Sequence, residues 1–257
     1  MRYGLRTMLI VVAVLCIWLG MRVNKVRRQQ AAIAAIERLG GSIYYQYQLS
    51  RGYNGRFLAE PDAPPPYPRW CRRAAEQVFP PAVGRVNLRD TPTTDRDLEL
   101  LRSLPDVTRL DLVNTNVTDE GMAVVGRLRK LQSLVLRGPS VGDRGVEHIK
   151  HLKLEYLSLW DTSVSDVGVH HLRDMTTLQV LILDGTKITD AALPDIGRLV
   201  NLNDWLGLTH TEVTDVGLPH LTTLKNLRKL NLIGTKVSRE GLRDLRKALP
   251  QAHISPF

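Results

Sequence analysis

A 24-residue phrase recurs along roughly two-thirds of this chain and constrains its fold more than any other feature. Its clearest copies span residues 104–127, 175–198 and 224–247. One leucine of the phrase recurs at spacings of 24, 24, 23, 24, 25 and 24 residues: Leu88, Leu112, Leu136, Leu159, Leu183, Leu208 and Leu232. A fixed period of this length is typical of stacked structural repeats, in which each unit contacts its neighbours. The sequence therefore predicts an elongated array rather than a compact globule.

Each copy of the phrase predicts a strand, a turn and a short helix. The opening L-x-x-L-x-L alternates apolar residues with the period of a half-buried strand, so Leu110 and Leu112 are predicted to point inward. A V/I-T/S-D sequence then supplies an N-cap and an acidic first turn, and G-L-x-x-L seats a short helix on the core. In most copies a threonine occupies the turn, where its hydroxyl can satisfy backbone groups: Thr91, Thr115, Thr162, Thr186, Thr211 and Thr235.

These units resemble the leucine-rich repeat family, in the variant that reads LxxLxLxxTxVTDxGLxxL. The resemblance covers residues 83 to about 250. It implies an α/β solenoid with a parallel sheet on the concave side and short helices on the convex side. We predict that residues 83–257 hold about seven units and a C-terminal capping strand, and that the terminal units depart from the pattern.

The N-terminal third predicts a membrane anchor. We divide it into a short basic N-terminus (1–7), a transmembrane or signal-anchor segment (8–23), a juxtamembrane helix (24–41), and a linker with an N-terminal cap (42–82). The uncharged run from Thr7 to Met21 has 15 residues, fewer than the roughly 20 that usually span a bilayer. Tryptophan and basic residues at its end suit the membrane interface and lengthen the effective span. We therefore favour an uncleaved single-pass anchor over a cleaved signal peptide, with the side of the membrane undetermined.

The segment between anchor and array carries weaker signals. Residues 26–39 are rich in helix formers, and Ile33, Ile36 and Leu39 form an apolar stripe that usually packs on its own domain. Residues 42–82 combine tyrosines with a proline-rich stretch, and Trp70 to Phe79 is predicted as a short helix that caps the first unit. The anchor, this segment and the repeat variant together resemble small membrane-anchored leucine-rich repeat proteins of bacteria. That resemblance implies no defined biochemical activity.

The charge distribution disfavours nucleic acid as a partner. The whole chain has a net charge of +9, but residues 1–82 hold 12 Lys/Arg against 4 Asp/Glu, and residues 83–257 hold 23 against 22. The excess lies beside the predicted anchor, where it favours anionic lipid headgroups. A nearly neutral array does not match the basic surface that phosphate-backbone binding needs. We predict contact with a lipid bilayer through residues 8–23 and the flanking basic residues.

Two patterns resemble enzyme motifs. Residues 138–142 read G-x-S-x-G around Ser140 between a strand and a helix, as in a nucleophile elbow. Every copy has that turn, however, and no base or oxyanion hole is evident around it. His148 and His171 occupy equivalent helix positions, but no further ligand completes a zinc set. We predict no enzyme activity, no cofactor and no metal site.

The outward strand positions predict a binding surface. Stacking brings apolar and aromatic side chains together on the concave sheet: Val135, Tyr156, Trp160, Val180, Ile182 and Trp205. A basic column flanks them toward the N-terminal end: Arg85, Arg89, Arg109 and Arg137. Exposed aromatic residues and arginines are the usual anchors of protein interfaces. The alternative is that these side chains only pack on one another, or on residues 42–82 folded into the groove.

We interpret the chain as a non-enzymatic, membrane-tethered scaffold that binds an unknown protein or peptide through its concave face. The first alternative is an adaptor or regulatory subunit that presents a substrate to a separate enzyme. In that case the recruitment segment lies within residues 26–82. The second alternative is a serine hydrolase that uses Ser140.

Overall fold

The parallel sheet of the array spans its whole length. The computed structural model describes residues 2–51, 57–60, 63, 65–68, 71 and 79–255. The strands are β1 (Ser42–Tyr45), β2 (Leu49–Arg51), β3 (Phe57–Ala59), β4 (Val83–Asn87), β5 (Arg109–Val113), β6 (Ser133–Arg137), β7 (Tyr156–Trp160), β8 (Val180–Ile182), β9 (Trp205–Gly207), β10 (Lys229–Asn231) and β11 (His253–Ser255). From β4 to β11 each strand pairs in parallel with the next one along the chain. The chain is therefore an α/β solenoid, as predicted.

Each crossover between parallel strands passes through a short helix on the convex side. The α-helices are α1 (Arg2–Arg38), α2 (Asp119–Val125), α3 (Asp143–Ile149), α4 (Asp166–Leu172), α5 (Leu193–Ile196) and α6 (Arg239–Ala248). Shorter 3-10 helices cover Gln46–Gln48, Asp97–Ser103, Asp190–Ala192 and Leu218–Thr223. A 24-residue unit leaves room for about two helical turns after its strand and its two loops, which explains why these helices are short.

The inward leucines of the phrase form one continuous core. Leu110, Leu134, Leu157 and Leu181 stack in register along the sheet, and each is almost completely buried. The turn threonines close each strand by donating a hydrogen bond to the carbonyl three residues earlier, for example from Thr162 Oγ1 to the Leu159 oxygen at 2.7 Å. The other five threonines make the same bond. Both predictions for the strand and its turn are confirmed.

In each unit, a residue with left-handed backbone geometry turns the chain directly after the last outward position of the strand. The backbone φ there is positive in seven units: Asp90, Asn114, Gly138, Asp161, Gly185, His210 and Gly234. Glycine adopts this region without strain, and Asp and Asn tolerate it better than other residues do. The turn fixes the direction in which the last outward side chain of each strand projects.

Aspartates in the first turn of a helix or just before it link neighbouring units. The sequence predicts only that these carboxylates favour the positive end of their own helix. Asp143 also accepts hydrogen bonds from Ser165 N at 2.7 Å, Ser165 Oγ at 2.6 Å and Gly168 N at 2.9 Å, all in the next unit. The same carboxylate-to-cap contact recurs along the array from Asp95, Asp119, Asp166, Asp190 and Asp215. We call this series the aspartate ladder.

Helix α1 joins the apolar run to the end of the array without a break. Its 37 residues include the exposed apolar side chains from Met8 to Met21. Farther along, Val26 is buried, and Ala32 and Ile36 belong to the hydrophobic core of the array. Gln29 Nε2 also donates a hydrogen bond to the Pro81 oxygen at 3.1 Å. The second half of α1 therefore covers the N-terminal end of the hydrophobic core.

The segment after α1 contributes an edge strand. β1 pairs antiparallel with β4, so residues 42–45 extend the sheet at its N-terminal edge. β2 and β3 form a separate antiparallel pair. The short helix predicted over Trp70 to Phe79 lies almost entirely outside the described residues. At the other end, β11 pairs in parallel with β10 and is the last described strand of the sheet.

Candidate binding face

The outward side chains of the parallel strands stand in three columns across the concave face. Backbone pairing sets equivalent positions of neighbouring strands about 4.8 Å apart. The first column contains Arg85, Arg109, Ser133, Tyr156, Val180, Trp205 and Lys229. The second contains Asn87, Asp111, Val135, Ser158, Ile182, Gly207 and Asn231. Val113, Arg137 and Trp160 lie in the third.

Trp160 is the most exposed large apolar side chain of this face. It keeps 46% of its surface accessible, although it lies on a central strand. The Arg137 guanidinium carbon lies 4.2 Å from the centroid of the Trp160 ring system, which is a close cation–π contact. Arg137 Nε in turn donates a hydrogen bond to Asp161 Oδ2 at 3.1 Å. The indole is thus held in one orientation before any ligand arrives.

The other predicted apolar residues differ in how much surface they offer. Tyr156 and Trp205 are half-buried and flank Val180 in the first column. Val180 and Ile182 retain only 7% and 6% of their surface, so they form the floor between the larger rings rather than contact points for a ligand. Val135 is half-buried on the N-terminal side of this floor.

The N-terminal end of the face is basic but partly neutralised. Arg85 and Arg89 both approach Asp111 Oδ2, at 3.9 and 3.2 Å. Asp111 is only 5% exposed, because the two guanidinium groups cover it. Arg109 lies next to Arg85 in the first column and is half-buried. This end of the face therefore carries three arginines, and the buried Asp111 carboxylate lies beside two of them.

Edge strand β1 lies beside this basic end and does not enter the groove. The Arg85 guanidinium carbon lies 5.5 Å from the centroid of the Tyr44 ring. Because β1 pairs with the outer edge of β4, residues 42–45 extend the face instead of covering it. The aromatic centre of the concave face is open to solvent at Trp160.

A partly buried carboxylate lies on the C-terminal side of Trp160. Burial raises the pKa of the Asp184 carboxyl above its ordinary value of 3.8, and the hydrogen bond from the Thr209 backbone offsets this only in part. The backbone bond is short, at 2.6 Å from Thr209 N to Asp184 Oδ1. Asp184 thus places a partly buried carboxyl on the side of Trp160 away from the basic N-terminal end.

Two residues that position side chains of the candidate face were not predicted from the sequence. Asp161 orients Arg137 and therefore Trp160, and Asp111 is the shared counter-ion of Arg85 and Arg89. Alternation along a strand distinguishes inward from outward positions but does not reveal pairing across units. The available signal is the 24-residue offset itself, because Arg137 and Asp161 are 24 positions apart in a chain whose units stack with that period.

The residues tested as catalytic or metal-binding candidates lie away from this face. Ser140 is exposed in the turn before α3, and within the described part of the chain its hydroxyl has no hydrogen bond to a histidine or carboxylate. His148 is exposed and His171 half-buried on the convex helices. Of the histidines close to them in sequence, His151 donates from Nε2 to the Gly126 oxygen at 2.8 Å, and His170 Nδ1 lies 2.9 Å from Asp195 Oδ2. Among the described residues no group of three or more His, Cys, Asp and Glu side chains is placed to hold a metal ion.

Comparisons with known proteins agree with this architecture. A family model described as a leucine-rich repeat matches residues 103–126, about one unit of the array. An internalin (InlF) of Listeria monocytogenes has a similar structure, with a TM-score of 0.53 and 16% identity over 71% of this chain and 56% of that one. A leucine-rich repeat protein of Leptospira interrogans gives a TM-score of 0.35 and 21% identity over 66% and 59% of the two chains. No curated protein matches the chain.

These similarities concern the fold. The chain spans less than two-thirds of the length of either structure. The 24-residue phrase, the parallel sheet and the similarity to the internalin structure together show that the chain has a leucine-rich repeat fold.

Proposed function

We propose that the protein is a membrane-tethered, non-enzymatic scaffold that binds a protein or peptide ligand through the concave face of its array. The observation that carries this proposal is Trp160, an accessible indole held by Arg137 in the middle of that face. Interface hot spots are enriched in tryptophan, tyrosine and arginine, and an anchor ordered in advance loses little entropy on binding. Tyr156 and Trp205 supply further aromatic surface beside it.

Helix α1 supports the tether. Residues 7–38 form a helix long and apolar enough to cross a membrane, and its most apolar 18-residue window has a mean hydropathy of 2.0 and is not buried. A signal sequence passes the same test of length and composition. However, the residues directly after the apolar run continue the same helix and cover the core of the first unit. Cleavage at the end of the run would cut this helix, which favours an uncleaved anchor.

The composition of the concave face supports binding rather than catalysis. Its accessible centre presents aromatic rings and guanidinium groups, and the carboxylates of Asp111 and Asp161 are engaged with arginines. The Ser140 alternative rests on a turn that every unit shares. The adaptor alternative requires a free recruitment segment within residues 26–82, yet α1 up to Ile36 and strand β1 are already packed on the array.

Photo-crosslinking tests the proposed face. A benzophenone amino acid replaces Ser133, which lies beside Tyr156 on the concave face, or Val167, an exposed residue of α4 on the convex side. We expect discrete adducts from position 133 in membranes of the source cells and none of the same mass from position 167. The adducts should disappear in the Trp160→Ala/Tyr156→Ala variant.

The control for this experiment is stability. Because Trp160 is half-exposed and Tyr156 is partly exposed, their truncation should leave the thermal unfolding transition near that of the parent protein. Identical adducts from positions 133 and 167, or adducts that survive the double substitution, would contradict the proposal. A collapse of the thermal transition would show that the rings serve the fold instead.

A further inference from the structure

Helix α1 runs parallel to β4, and its apolar half projects from one particular edge of the array. Gly41, just after the helix, packs on Leu88 at the end of β4, where a Cβ would lie 2.8 Å from Leu88 Cδ2. Twelve residues earlier, Gln29 bonds to Pro81, just before β4 begins. Earlier still, the Arg22 guanidinium carbon lies 5.6 Å from the Phe79 ring centroid. Residues before Arg22 therefore extend beyond the edge at which the strands begin.

That edge would lie close to the lipid headgroups. This step rests on the proposed membrane tether. From Met21 to Gln29 is eight helical residues, or about 12 Å at a rise of about 1.5 Å per residue. The polar layer of one leaflet is roughly 5–8 Å thick. The level of Pro81 is thus within about one Debye length, roughly 8 Å, of the headgroups.

The same edge carries the positive charge of the array. We call it the strand-start edge and define it by the segments that connect each helix to the following strand: 104–108, 126–132, 150–155, 173–179, 197–204, 224–228 and 249–252. These segments hold nine Lys/Arg against four Asp/Glu. An array with nearly no net charge therefore has a distinctly basic edge.

The opposite edge has the reverse balance. We call it the strand-end edge, and it comprises the segments from each strand to the following helix: 88–96, 114–118, 138–142, 161–165, 183–189, 208–217 and 232–238. It holds four Lys/Arg against six Asp/Glu. The aspartate ladder adds the carboxylates of the helix first turns on this side. The array is thus polarised along the direction of its strands, which is also the direction of α1.

Several basic side chains of the strand-start edge are available to an external anion. Lys130 and Arg198 pair with the carboxylates of Asp106 and Asp174. Lys225 Nζ donates a hydrogen bond to the Ala248 oxygen. By contrast, the side chains of four exposed residues make neither an ion pair nor a hydrogen bond within the described part of the chain: Arg127, Arg129, Lys153 and Arg228. They belong to three different units, so their charge is spread along the edge rather than concentrated at one point.

We propose that the strand-start edge rests on an anionic lipid surface, so that the solenoid lies edge-on with its stacking axis parallel to the bilayer. Helix α1 sets the distance of the array from the bilayer, and the basic edge sets the tilt of the array relative to the bilayer. The headgroup phosphates are the anions that the four unpaired basic residues attract. In this arrangement the concave face opens sideways along the membrane, and Trp160, the last residue of β7, lies toward the edge that faces away from the lipid.

Headgroup quenching tests this arrangement in the full chain. With Cys16 and Cys71 replaced by serine, a fluorophore is attached at Asn226→Cys on the strand-start edge or Ser140→Cys on the strand-end edge. The protein is reconstituted in vesicles of phosphatidylcholine, alone or mixed with phosphatidylglycerol, that carry a headgroup spin label. We expect strong quenching at position 226 that requires phosphatidylglycerol and weakens in 1 M salt, where the Debye length is about 3 Å. We expect little quenching at position 140.

Charge reversal provides the matched comparison. Replacing Arg127, Arg129, Lys153 and Arg228 with glutamate should abolish the lipid-dependent quenching at position 226, whereas Arg96→Glu with Lys187→Glu on the strand-end edge should preserve it. Thermal unfolding of each variant confirms that the array is folded. Equal quenching at both labels, or quenching that survives the fourfold reversal, would overturn the edge contact.

Flotation separates this proposal from the tether itself. Co-flotation with neutral vesicles in 1 M salt depends on α1 alone, because the electrostatic contribution is screened. Protein that floats but shows equal quenching refutes the edge contact and leaves the tether intact. Protein that fails to float refutes both the tether and the edge contact that rests on it.

Discussion

At the scale of single residues, the concave face depends on three side chains that fix one another. Asp161 lies in the left-handed turn after β7 with a φ of 54°, and it holds Arg137 from the neighbouring unit. Arg137 then stacks on Trp160. A cation–π contact at an exposed site contributes about 0.5–1 kcal/mol, so its main effect is to restrict the orientation of the indole.

Asp184 makes the stability of the protein depend on pH. Burial raises its pKa above the ordinary 3.8, so the native state binds this proton more tightly than the unfolded state does. Its contribution to stability is therefore fully present below about pH 3.8 and is lost as the pH rises through the native pKa. Asp184→Asn should raise Tm at pH 7, and the gain over the parent protein should shrink toward zero as the pH falls to 3.5.

The matched control for this prediction is Asp174→Asn, which removes the same charge at an exposed position. Differential scanning calorimetry over the pH series measures both variants against the parent protein. A gain for Asp184→Asn that is constant with pH, or one that grows as the solution is acidified, would show that burial does not govern this carboxyl.

The sequence predicts which residues point toward the concave face but not how exposed they are. Period-2 alternation correctly assigned Trp160 and Tyr156 to the outer side of β7. It assigned Val180 and Ile182 in the same way, yet both are nearly buried. Exposure depends on the size of the neighbours in adjacent units, and the strand pattern within a single unit does not contain that information.

At the scale of elements, the aspartate ladder ties each unit to the next. The short helices have about two turns each, which is too few to be stable alone. Each ladder carboxylate satisfies backbone and hydroxyl donors at the start of the following unit, where a helix N-terminus leaves donors unpaired. The ladder therefore couples cap formation in one unit to the position of its neighbour.

Loss of one ladder carboxylate should destabilise the array. Asp143 accepts three hydrogen bonds from the next unit, and hydrogen bonds to charged groups are worth about 1.5–3 kcal/mol. Asp143→Ala should lower the free energy of unfolding by about that amount. Asp174→Ala removes a surface carboxylate and should change it by less than about 1 kcal/mol. Urea unfolding monitored by circular dichroism compares the two, and equal losses would contradict a role for the ladder.

Helix α1 acts as the N-terminal cap of the core. Ile36 is buried against the first unit, so Ile36→Ala should cost about 2–5 kcal/mol, as other truncations in tightly packed cores do. Glu37→Ala is the control, because Glu37 is exposed on the same helix. In detergent-solubilised protein, hydrogen exchange of the β4 amides should accelerate only for the Ile36 variant. Unchanged exchange in β4 would mean that α1 does not cap the core.

The sequence predicts the structure within each repeat unit better than it predicts the contacts between the array and the N-terminal segment. The strands, the turn threonines and the helix caps follow from the phrase itself. The antiparallel strand β1 and the packing of α1 involve contacts between segments that lie outside the repeat, such as Gln29 with Pro81. No periodic pattern records those contacts. The apolar stripe of Ile33 and Ile36 was the one available signal.

At the scale of the whole molecule, anchor and array are continuous. Helix α1 passes from the apolar run directly into the cap, so the described structure has no linker between them. The protein extracted from membranes should therefore retain residues 8–21, and intact-mass spectrometry measures this. A soluble protein that begins after Met21 would show instead that the run is a cleaved signal peptide.

A charge placed in the apolar run should release the protein from the membrane. Leu15→Arg introduces a guanidinium near the centre of the run, at a cost of about 2.5–3.5 kcal/mol for insertion. Lys25→Arg preserves the charge pattern and should leave membrane association unchanged. The fraction that resists carbonate extraction distinguishes these outcomes. Equal resistance of both variants would contradict anchoring through this run.

The affinity of the crosslinked partner for four variants tests the central claim most directly. Titration calorimetry compares the parent protein, Trp160→Ala, Tyr156→Ala and the convex control Val167→Ala. If the concave face binds the partner through its aromatic centre, Trp160→Ala should weaken Kd by about 30-fold, which corresponds to a hot-spot loss of about 2 kcal/mol. Tyr156→Ala should also weaken binding, and Val167→Ala should match the parent protein. A Kd for Trp160→Ala within twofold of the parent value, or an equal loss for Val167→Ala, would contradict the account.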